Sequence, residues 1–293
     1  MSFPSRNAVL GDRGLVAVTG CSSGIGQATA IALVDAGFRV LAGVRTLGDA
    51  DPLASLGDRA EAIQLDVTNA EHVAAFGERV RSEPRGLAGL INNAGIISVG
   101  PVELVAQEKW EQVMNVNVLG TVAVTREAIP AILKAKGRIV NISSPSGKIA
   151  LPMLGPYSVS KFGIEALSDT LRRELGHSGV RVISVSPGMV ATPIFDKGVA
   201  EGAEFIDTNY DNPDLYERYA ERAFSAIDAG RDALEKGSTP DVAAALILKA
   251  FTARRPKPRY GGGVENKAVG IITKLPDRVL DWIVAQIATT EPR

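Results

Sequence analysis

Six short runs rich in valine, isoleucine and leucine alternate with longer helical patterns between residues 15 and 188. The runs lack the polar–apolar alternation of a sheet with one face in water, so the strands that they predict are buried on both faces. Strands that alternate with helices in this way form a parallel sheet covered by helices on both sides. The sequence therefore predicts an α/β fold, a doubly wound parallel sheet in three α/β/α layers, with strands at 15–20, 39–44, 60–67, 87–95, 137–144 and 180–188.

The stretches between and after these strands have helical spacing of their apolar residues. Pro240 is a typical first residue of a helix, with Thr239 or its neighbour as the N-cap. In the tail, apolar residues at helical spacing indicate a helix that packs on the core or on another subunit rather than on a membrane surface. The predicted helices are 24–36, 69–82, 107–134, 155–176, 240–253 and 275–287.

No stretch of the chain has the composition of a linker, so a single domain is expected over 1–293, with its core at 13–192. Residues 190–237 are polar and irregular, and long excursions of this kind are usually functional lids. The segment 193–237 is therefore predicted to be a lid, followed by C-terminal helices at 238–293. A last strand at 259–265 is doubtful, because three glycines follow one another at 261–263.

Charge and rare residues exclude several classes of function. The 32 basic residues are balanced by 33 acidic ones, which gives no support for a nucleic-acid surface. One cysteine rules out an internal disulfide, and two histidines in separate polar stretches argue against a zinc site or a histidine-based triad. The N-terminus has no secretory pattern and no apolar run is long enough to span a bilayer. A cytoplasmic protein without stable membrane insertion, and without a metal, is expected.

The sequence TGCSSGIG at 19–26 lies directly after the first predicted strand and begins the first predicted helix. Glycines at 20, 24 and 26 allow a sharp turn and the close approach of a pyrophosphate to the helix N-terminus. In this position between a strand and a helix, the loop indicates dinucleotide binding. Its spacing, G-x-x-x-G-x-G, differs from the G-x-G-x-x-G pattern, so its local geometry should differ too.

The second predicted strand is followed by Arg45, and no acidic residue lies within 39–46. An acidic side chain here would bind the ribose hydroxyls of NAD, whereas an arginine accommodates the 2′-phosphate of NADP. NADP(H) is therefore the favoured cofactor. NAD(H) remains possible, because Asp49 or Asp51 could reach the ribose.

Tyr157 and Lys161 lie four residues apart in a predicted helix, so their side chains share one helical face. A phenol with a pKa near 10 is a poor general base at neutral pH. Lowering that pKa by three units requires about 4 kcal/mol of preferential stabilisation of the phenolate. A lysine cation a few Å away supplies stabilisation of this size. We therefore expect Lys161 to lower the pKa of Tyr157.

Five further motifs follow TGCSSGIG along the chain: NNAG at 92–95, NVNVLG at 115–120, ISS at 142–144, YSVSK at 157–161 and SPGMVAT at 186–192. In the order and the spacing of these motifs, residues 13–192 resemble the short-chain dehydrogenase/reductase family. Within that family, the sequence segments 37–45 (GFRVLAGVR) and 147–175 (from GKIALPML to LRREL) are similar to the retinol and hydroxysteroid dehydrogenase-like branch. The resemblance implies a Rossmann-type fold and an NAD(P)-dependent oxidoreductase.

The resemblance also assigns roles to individual residues. It implies that Ser144, rather than Ser143, binds the substrate oxygen, that Tyr157 exchanges its proton, and that Asn117 holds a water linking Lys161 to solvent. Asn92 and Gly95 would border the cofactor, Asp66 its adenine end and Thr192 its carboxamide, and Ser23 could help to hold a 2′-phosphate. The full set expected to bind the cofactor is Gly20, Ser22, Ser23, Gly24, Ile25, Gly26, Arg45, Asp66, Val67, Asn93, Ala94, Gly95, Tyr157, Lys161, Pro187, Gly188, Val190 and Thr192.

The predicted lid contains much of the aromatic content of an aromatic-poor chain, and such side chains could form an apolar pocket. A bulky hydrophobic alcohol or ketone, steroid-, retinoid- or lipid-like, is therefore the expected substrate. Two alternatives stay open, a dinucleotide-binding regulator without catalysis and a sugar epimerase or dehydratase. By resemblance the protein is expected to be a homodimer or homotetramer. The lid residues concerned are Phe195, Phe205, Ile206, Tyr210, Tyr216, Tyr219 and Phe224.

Overall fold

The computed structural model describes residues 12–194, 196, 198, 200, 201, 203, 204 and 212–288. The strands in this part of the chain form one parallel sheet with the order β3-β2-β1-β4-β5-β6-β7. The order reverses between β1 and β4, which is where open α/β sheets form their binding crevice. The strands are Leu15–Thr19 (β1), Arg39–Val44 (β2), Ala60–Gln64 (β3), Leu87–Asn92 (β4), Arg138–Ile142 (β5), Arg181–Ser186 (β6) and Arg259–Gly261 (β7).

Helices cover both faces of the sheet, and the predicted three-layer fold is confirmed. Short 3-10 turns occur at Leu47–Arg59, Pro145–Gly147 and Gly176–Ser178. The α-helices are Gly24–Asp35 (α1), Ala70–Arg81 (α2), Gln107–Met114 (α3), Thr121–Ala135 (α4), Gly155–Leu175 (α5), Pro213–Lys236 (α6), Pro240–Thr252 (α7), Gly263–Ile272 (α8) and Asp277–Ala288 (α9).

Alternate side chains of the central strands enter two separate hydrophobic cores. Val16 and Val18 of β1 pack with α1 and α7 on one face, where the rings of Phe38 and Phe251 meet edge to face at 5.4 Å. Leu15 and Ala17 point to the other face, in the core that includes α2 and α4. Because both faces are buried, every β1 residue is apolar or, at its end, a threonine with its side chain buried.

The last strand forms, but it is shorter than the 259–265 segment considered in the sequence, because a helix already begins at Gly263. Arg259–Gly261 forms β7, which pairs with β6 in parallel from Ser184 to Ser186. The glycines fit because Asn266 of α8 packs against this strand, and a Cβ atom on Gly261 would lie 2.9 Å from the Asn266 Cβ. Close packing, rather than strand propensity, therefore determines the sequence here.

The predicted continuous helix at 107–134 is interrupted by a π-helical segment, Asn115–Gly120. By length and composition, the whole stretch Gln107–Ala135 could cross a membrane, with a mean hydropathy of 1.3 in its most apolar part. This differs from the sequence expectation that no segment qualifies. In the fold, α4 packs on β4 and α2, so its apolar character is that of a helix covering the sheet.

The tail helix α9 packs on α6, although much of its apolar surface is in contact with solvent. Val279 is exposed, and Trp282 is 64% exposed. The expected packing of this helix on the core is therefore partial. The described part of the lid consists of helical residues after Thr192 and of α6. Of the lid residues predicted to form an apolar pocket, Phe195, Phe205, Ile206 and Tyr210 lie outside the described residues.

Candidate active site

A cavity of about 930 Å³ lies at the carboxyl ends of the central strands. It is the crevice expected where the strand order reverses. Residues from both ends of the predicted motif set line it, so folding brings together segments from 20 to 192. The predicted site residues in its wall are Gly20, Ser22, Ser23, Gly24, Ile25, Arg45, Asp66, Val67, Asn93, Ala94, Gly95, Ser144, Tyr157, Lys161, Pro187, Gly188, Val190 and Thr192.

Three of the residues predicted to act in catalysis or to border the cofactor do not line the cavity. Gly26 faces the preceding loop, and a Cβ atom there would lie 2.0 Å from the Gly20 carbonyl oxygen, so this glycine allows the turn to close. Asn92 is buried inside the sheet, where its amide donates to Thr125 and Asn141 at 2.9 Å each. The expectation that Asn92 borders the cofactor is wrong, because its side chain points between strands and helix α4. Asn117, in the π-helical segment, is the third predicted residue that does not line the cavity.

The loops after β1 and β4 are joined by Asn93 and Thr19. The Asn93 amide donates to the carbonyl oxygens of Thr19 and Gly20 at 2.9 and 3.0 Å. In return, the backbone N–H groups of Asn93 and Ala94 donate to the Thr19 hydroxyl at 3.0 and 2.9 Å. The glycine loop is therefore fixed in shape before any ligand binds.

This loop fits a dinucleotide phosphate. Gly20 and Gly24 have positive φ, and α1 begins directly below them with Ser23 as its N-cap. The Ser23 side chain does not cap the helix, and no acidic residue lies in the first turn of α1. The free N–H groups of the helix N-terminus can thus bind an anion without competition.

The adenine end of the crevice contains Arg45 and Asp66. Arg45 is an exposed side chain directly after β2. Burial raises the pKa of Asp66, but hydrogen bonds from the hydroxyl and N–H groups of Thr68, together with the charge of Arg45, bring it below its ordinary value. Asp66 is therefore a fixed carboxylate. His72 is half-buried here, and its Nδ1 accepts the Asp66 N–H at 3.2 Å.

Tyr157, Ser144 and Lys161 meet at the inner end of the cavity. Ser144 lies two residues after the end of β5, and its hydroxyl is near enough to the Tyr157 phenol, in the first turn of α5, to act on the pKa of that phenol. Lys161 is 6% exposed; its Nζ donates to the Ile142 carbonyl oxygen at 2.9 Å and lies 5.5 Å from the centre of the Tyr157 ring. The helix thus places the phenol and the ammonium on one face, as the spacing predicts.

The expected shift of the Tyr157 pKa has the wrong sign in this ligand-free structure. Burial raises the pKa of the phenol, and the hydrogen bond from Ser144 opposes this only in part. Burial also lowers the pKa of Lys161 to about 8, although Glu165 one turn further acts to raise it. At neutral pH the pair is therefore a neutral phenol next to an ammonium, because desolvation outweighs the attraction between phenolate and lysine.

Asn117 lies in the π-helical segment and ties it to the loop after β4. Its Oδ1 accepts the Ile96 N–H at 2.8 Å, while its amide donates to the Ile96 carbonyl oxygen and to the Ser160 hydroxyl at 2.9 Å each. A Cβ atom on Gly95 would lie 3.4 Å from Asn117 Oδ1 and 3.7 Å from Lys161 Nζ. Asn117 thus stands behind the cavity wall next to Lys161, and its role as a water holder stays a prediction.

The far wall of the cavity is aliphatic, and the sequence did not identify it. Tyr216, Tyr219 and Phe224 do not line it, since Tyr219 bonds Glu103 at the surface and Phe224 is exposed. Helix α6 instead contributes Ala229, and α8 contributes a stripe of apolar residues. No sequence signal joins these distant segments. The apolar members of the wall are Ile96, Ile97, Ile149, Leu151, Leu154, Met189, Pro193, Ile194, Ala229, Ala268, Val269 and Ile272.

Within the described residues, no group of three or more histidine, cysteine, aspartate or glutamate side chains is placed to hold a metal ion. A sequence model of the family described as short chain dehydrogenase matches residues 14–201. The chain belongs to the short-chain dehydrogenase family. It is therefore an oxidoreductase, and its crevice is that of a family that binds NAD(P)(H).

Curated relatives and solved structures agree with this membership. Human retinol dehydrogenase 16 is 35% identical over 92% of this chain and 88% of its own length. The 3-amino-tetrahydro-pyrrolizinone reductase of Xenorhabdus hominickii is 37% identical over 86% of this chain and 87% of its own. A Burkholderia cenocepacia short chain dehydrogenase, solved in complex with NADP, matches with a TM-score of 0.72 and 25% identity over 92% of this chain and 96% of that one.

Proposed function

We propose that this short-chain dehydrogenase interconverts a bulky hydrophobic alcohol and its ketone or aldehyde, with a preference for NADP(H). The observation that carries the proposal is that Ser144, Tyr157 and Lys161 line the inner end of a cavity whose far wall is aliphatic. Two hydroxyl groups converging in such a pocket can orient a carbonyl or alcohol oxygen.

Each of the catalytic residues has a task that follows from its position. Ser144 donates a hydrogen bond to the substrate oxygen and orients it towards Tyr157. Tyr157 donates its proton to that oxygen during reduction and removes it during oxidation. The raised pKa of the phenol keeps Tyr157 protonated at neutral pH, which is the state that reduction requires.

Lys161 stabilises the phenolate that remains after proton donation, since its ammonium lies over the ring face. The same ammonium lies close to Gly95 and can hold the ribose next to the nicotinamide. When bound, the nicotinamide cofactor supplies or accepts the hydride. The proposed positions of the cofactor are the glycine loop 20–26 for the pyrophosphate, Asp66 and Val67 for the adenine, and Val190 and Thr192 for the carboxamide.

The preference for NADP(H) rests on Arg45, an exposed positive charge directly after β2, where the stretch 39–46 contains no acidic residue. Ser23 lies in the same part of the cavity wall and can contribute a hydroxyl to a 2′-phosphate. The relative from Burkholderia cenocepacia, solved with NADP, supports this choice. NAD(H) is the alternative cofactor.

The proposed substrate is hydrophobic because aliphatic side chains dominate the far wall of the cavity. The similarity to a protein named retinol dehydrogenase supports a large apolar alcohol or aldehyde. We further propose a cytoplasmic homodimer or homotetramer without stable membrane insertion. The packing of α4 on β4 supports the lack of membrane insertion. The exposed apolar residues on α5 support self-association.

The experiment that tests this function measures initial rates of NADPH and NADH oxidation with retinal, ketosteroids, 3-ketoacyl compounds and simple cyclic ketones. We expect turnover of at least one bulky ketone or aldehyde, with a higher kcat/KM for NADPH than for NADH. Tight NADPH binding, seen as enhanced cofactor fluorescence, without turnover of any carbonyl compound would contradict the proposal and indicate a binding protein.

A further inference from the structure

Helix α8 presents one polar residue to an otherwise apolar wall of the cavity. Glu265, Ala268, Val269 and Ile272 follow the spacing i, i+3, i+4 and i+7, and all of them line the cavity. Residues with this spacing share one face of a helix. Three of the four are apolar, as expected for a wall that contacts an apolar ligand. The carboxylate of Glu265 is the exception that needs an explanation.

The Glu265 carboxylate has an unused hydrogen-bonding atom. Its Oε2 is buried and has no hydrogen-bond partner among the described residues. Buried polar atoms are almost always paired, because an unpaired one loses its hydration without compensation. Because the Glu265 side chain also lines the cavity, its carboxylate is a candidate contact for a ligand that brings its own donor.

The local backbone makes room for this carboxylate. A Cβ atom on Gly263 would lie 2.0 Å from Glu265 Oε2, and one on Gly188 would lie 3.0 Å from it. Both glycines have positive φ, and Gly188 itself lines the cavity after β6. The last glycine of the triplet and the glycine of the SPGMVAT segment thus leave the space in which Oε2 lies beside the cavity wall.

The helix that carries Glu265 is fixed in place. Asn266 is 7% exposed, and its amide donates to the carbonyl oxygens of Ser186 and Gly262 at 3.0 and 2.7 Å. These bonds hold the start of α8 against the end of β6, so the backbone that carries the carboxylate is fixed in position. A preorganised acceptor loses little entropy on binding its donor.

We propose that Glu265 is a specificity-determining residue that accepts a hydrogen bond from a hydroxyl or amino group at the far end of the substrate. The inference rests on the proposed function and narrows its substrate class. The substrate is an apolar carbonyl compound, or its alcohol, that carries a donor group away from the reacting carbon. Ser144 and Tyr157 bind the reacting oxygen at one end, and Glu265 binds the donor group at the other.

An alternative explanation is purely structural, since an acidic residue in the first turn stabilises a helix. The two explanations differ in what they predict for paired substrates. A structural acid affects every substrate alike. An acceptor for the substrate distinguishes a hydroxyl compound from the same compound with that hydroxyl capped, because the buried acceptor is then left unpaired.

The test uses saturated two-, three- and four-ring ketones with a hydroxyl on the ring farthest from the carbonyl, each paired with its methyl ether. For the best pair we expect the wild-type protein to favour the hydroxyl compound roughly 10- to 100-fold in kcat/KM, as hydrogen bonds to charged groups imply. Glu265→Met should reduce this preference to less than about threefold while retaining turnover of the ether. Glu265→Gln, which keeps an acceptor oxygen, should retain part of it.

The control is Lys267→Met, which alters an exposed side chain of the same helix and should keep the full preference. NADPH affinity from cofactor fluorescence should be unchanged in all variants. Equal losses for both members of a pair, weaker NADPH binding without a change in preference, or no preference in the wild-type protein would each overturn the inference. Absence of turnover with every ketone would instead overturn the proposed function, and calorimetric affinities for the same pairs would still decide the role of Glu265.

Discussion

Burial and the charge of Glu165 shift the pKa of Lys161 in opposite directions, so the titration of this ammonium is informative. Burial lowers its pKa from 10.5 to about 8, and Glu165 acts against this shift. Glu165 is itself fixed, because it accepts hydrogen bonds from Ser184 and Arg259 at 2.5 and 2.8 Å. The charge that the proposed mechanism requires is thus maintained at neutral pH at some cost in stability.

This cost predicts a specific dependence of stability on pH. Above pH 8 the folded protein has lost the Lys161 proton while the unfolded chain still binds it, so the free energy of unfolding rises with pH up to about 10.5. Between pH 7 and pH 10, ligand-free wild-type protein should gain about 2 to 3 kcal/mol relative to Lys161→Met. Urea unfolding of both proteins across this range measures the difference. Parallel pH profiles would show that Lys161 titrates normally.

The cofactor preference depends on another single side chain. Arg45→Ser removes the positive charge that we assign to the 2′-phosphate. Because exposed charge pairs contribute up to about 1 kcal/mol and a phosphate adds bidentate contacts, kcat/KM for NADPH should fall roughly 5- to 50-fold. The value for NADH should change less than about twofold, since its ribose carries no phosphate for Arg45 to contact. Equal losses with both cofactors in initial-rate measurements would contradict the assignment.

At the scale of elements, the five central strands could be predicted because their side chains are buried on both faces and are correspondingly aliphatic. The edge strands β3 and β7 are more exposed and carry a weaker signal of this kind. The ends of the strands could not be predicted, since apolar residues continue beyond them. Leu65 and Val67 are buried although β3 ends at Gln64, so a hydrophobic run overstates the strand. The site residues that follow strands were predicted from spacing. Spacing alone could not distinguish Asn92 from Asn93. The side chain of Asn92 is buried inside the sheet, whereas Asn93, one residue later, lines the crevice.

The π-helical segment Asn115–Gly120 had no sequence signal in the helical periodicity, yet it fixes Asn117. Asn117→Ala removes three hydrogen bonds and leaves the Ile96 N–H and carbonyl groups unpaired. We expect the free energy of unfolding to fall by about 2 to 4 kcal/mol, with weaker NADPH binding because the 94–97 loop lines the cavity. Chemical unfolding and cofactor fluorescence measure the two effects.

Asn115→Ala is the matched control for stability, because Asn115 is exposed in the same segment. It should change the free energy of unfolding by less than about 0.5 kcal/mol. Equal stabilities of the two variants would show that the bonds of Asn117 contribute nothing to the fold.

At the scale of the whole molecule, the sheet order brings residues 20, 45, 95, 144, 157 and 192 to one edge, and motif spacing was sufficient to predict that assembly. The far wall was not predictable. It joins α8 to the ends of β4, β5 and β6 through packing that leaves no periodic or motif signature in the sequence. In the proposed function this wall contacts the substrate, which explains why the class of reaction is easier to predict than the substrate.

Self-association is the second property at this scale. Val159 and Phe162 of α5 are 49% and 44% exposed, and Leu119 of the neighbouring π-helical segment is 57% exposed. If these residues form the subunit contact, Phe162→Glu should give a monomer, because a buried charge without a partner is costly at an interface. Light scattering after gel filtration measures the mass. Leu47→Glu, on a different exposed surface, should leave it unchanged. A monomeric wild-type protein, or an unchanged mass for Phe162→Glu, would contradict the prediction.

The central claim is that the Tyr157 hydroxyl exchanges a proton with the substrate. The most direct test compares Tyr157→Phe with the parent, using NADPH and the best carbonyl substrate of the panel. NADPH affinity should be unchanged, and kcat/KM should fall about 10²- to 10⁴-fold, the usual contribution of general acid catalysis. A folded, NADPH-binding Tyr157→Phe protein that reduces the substrate at the parent rate would contradict the account.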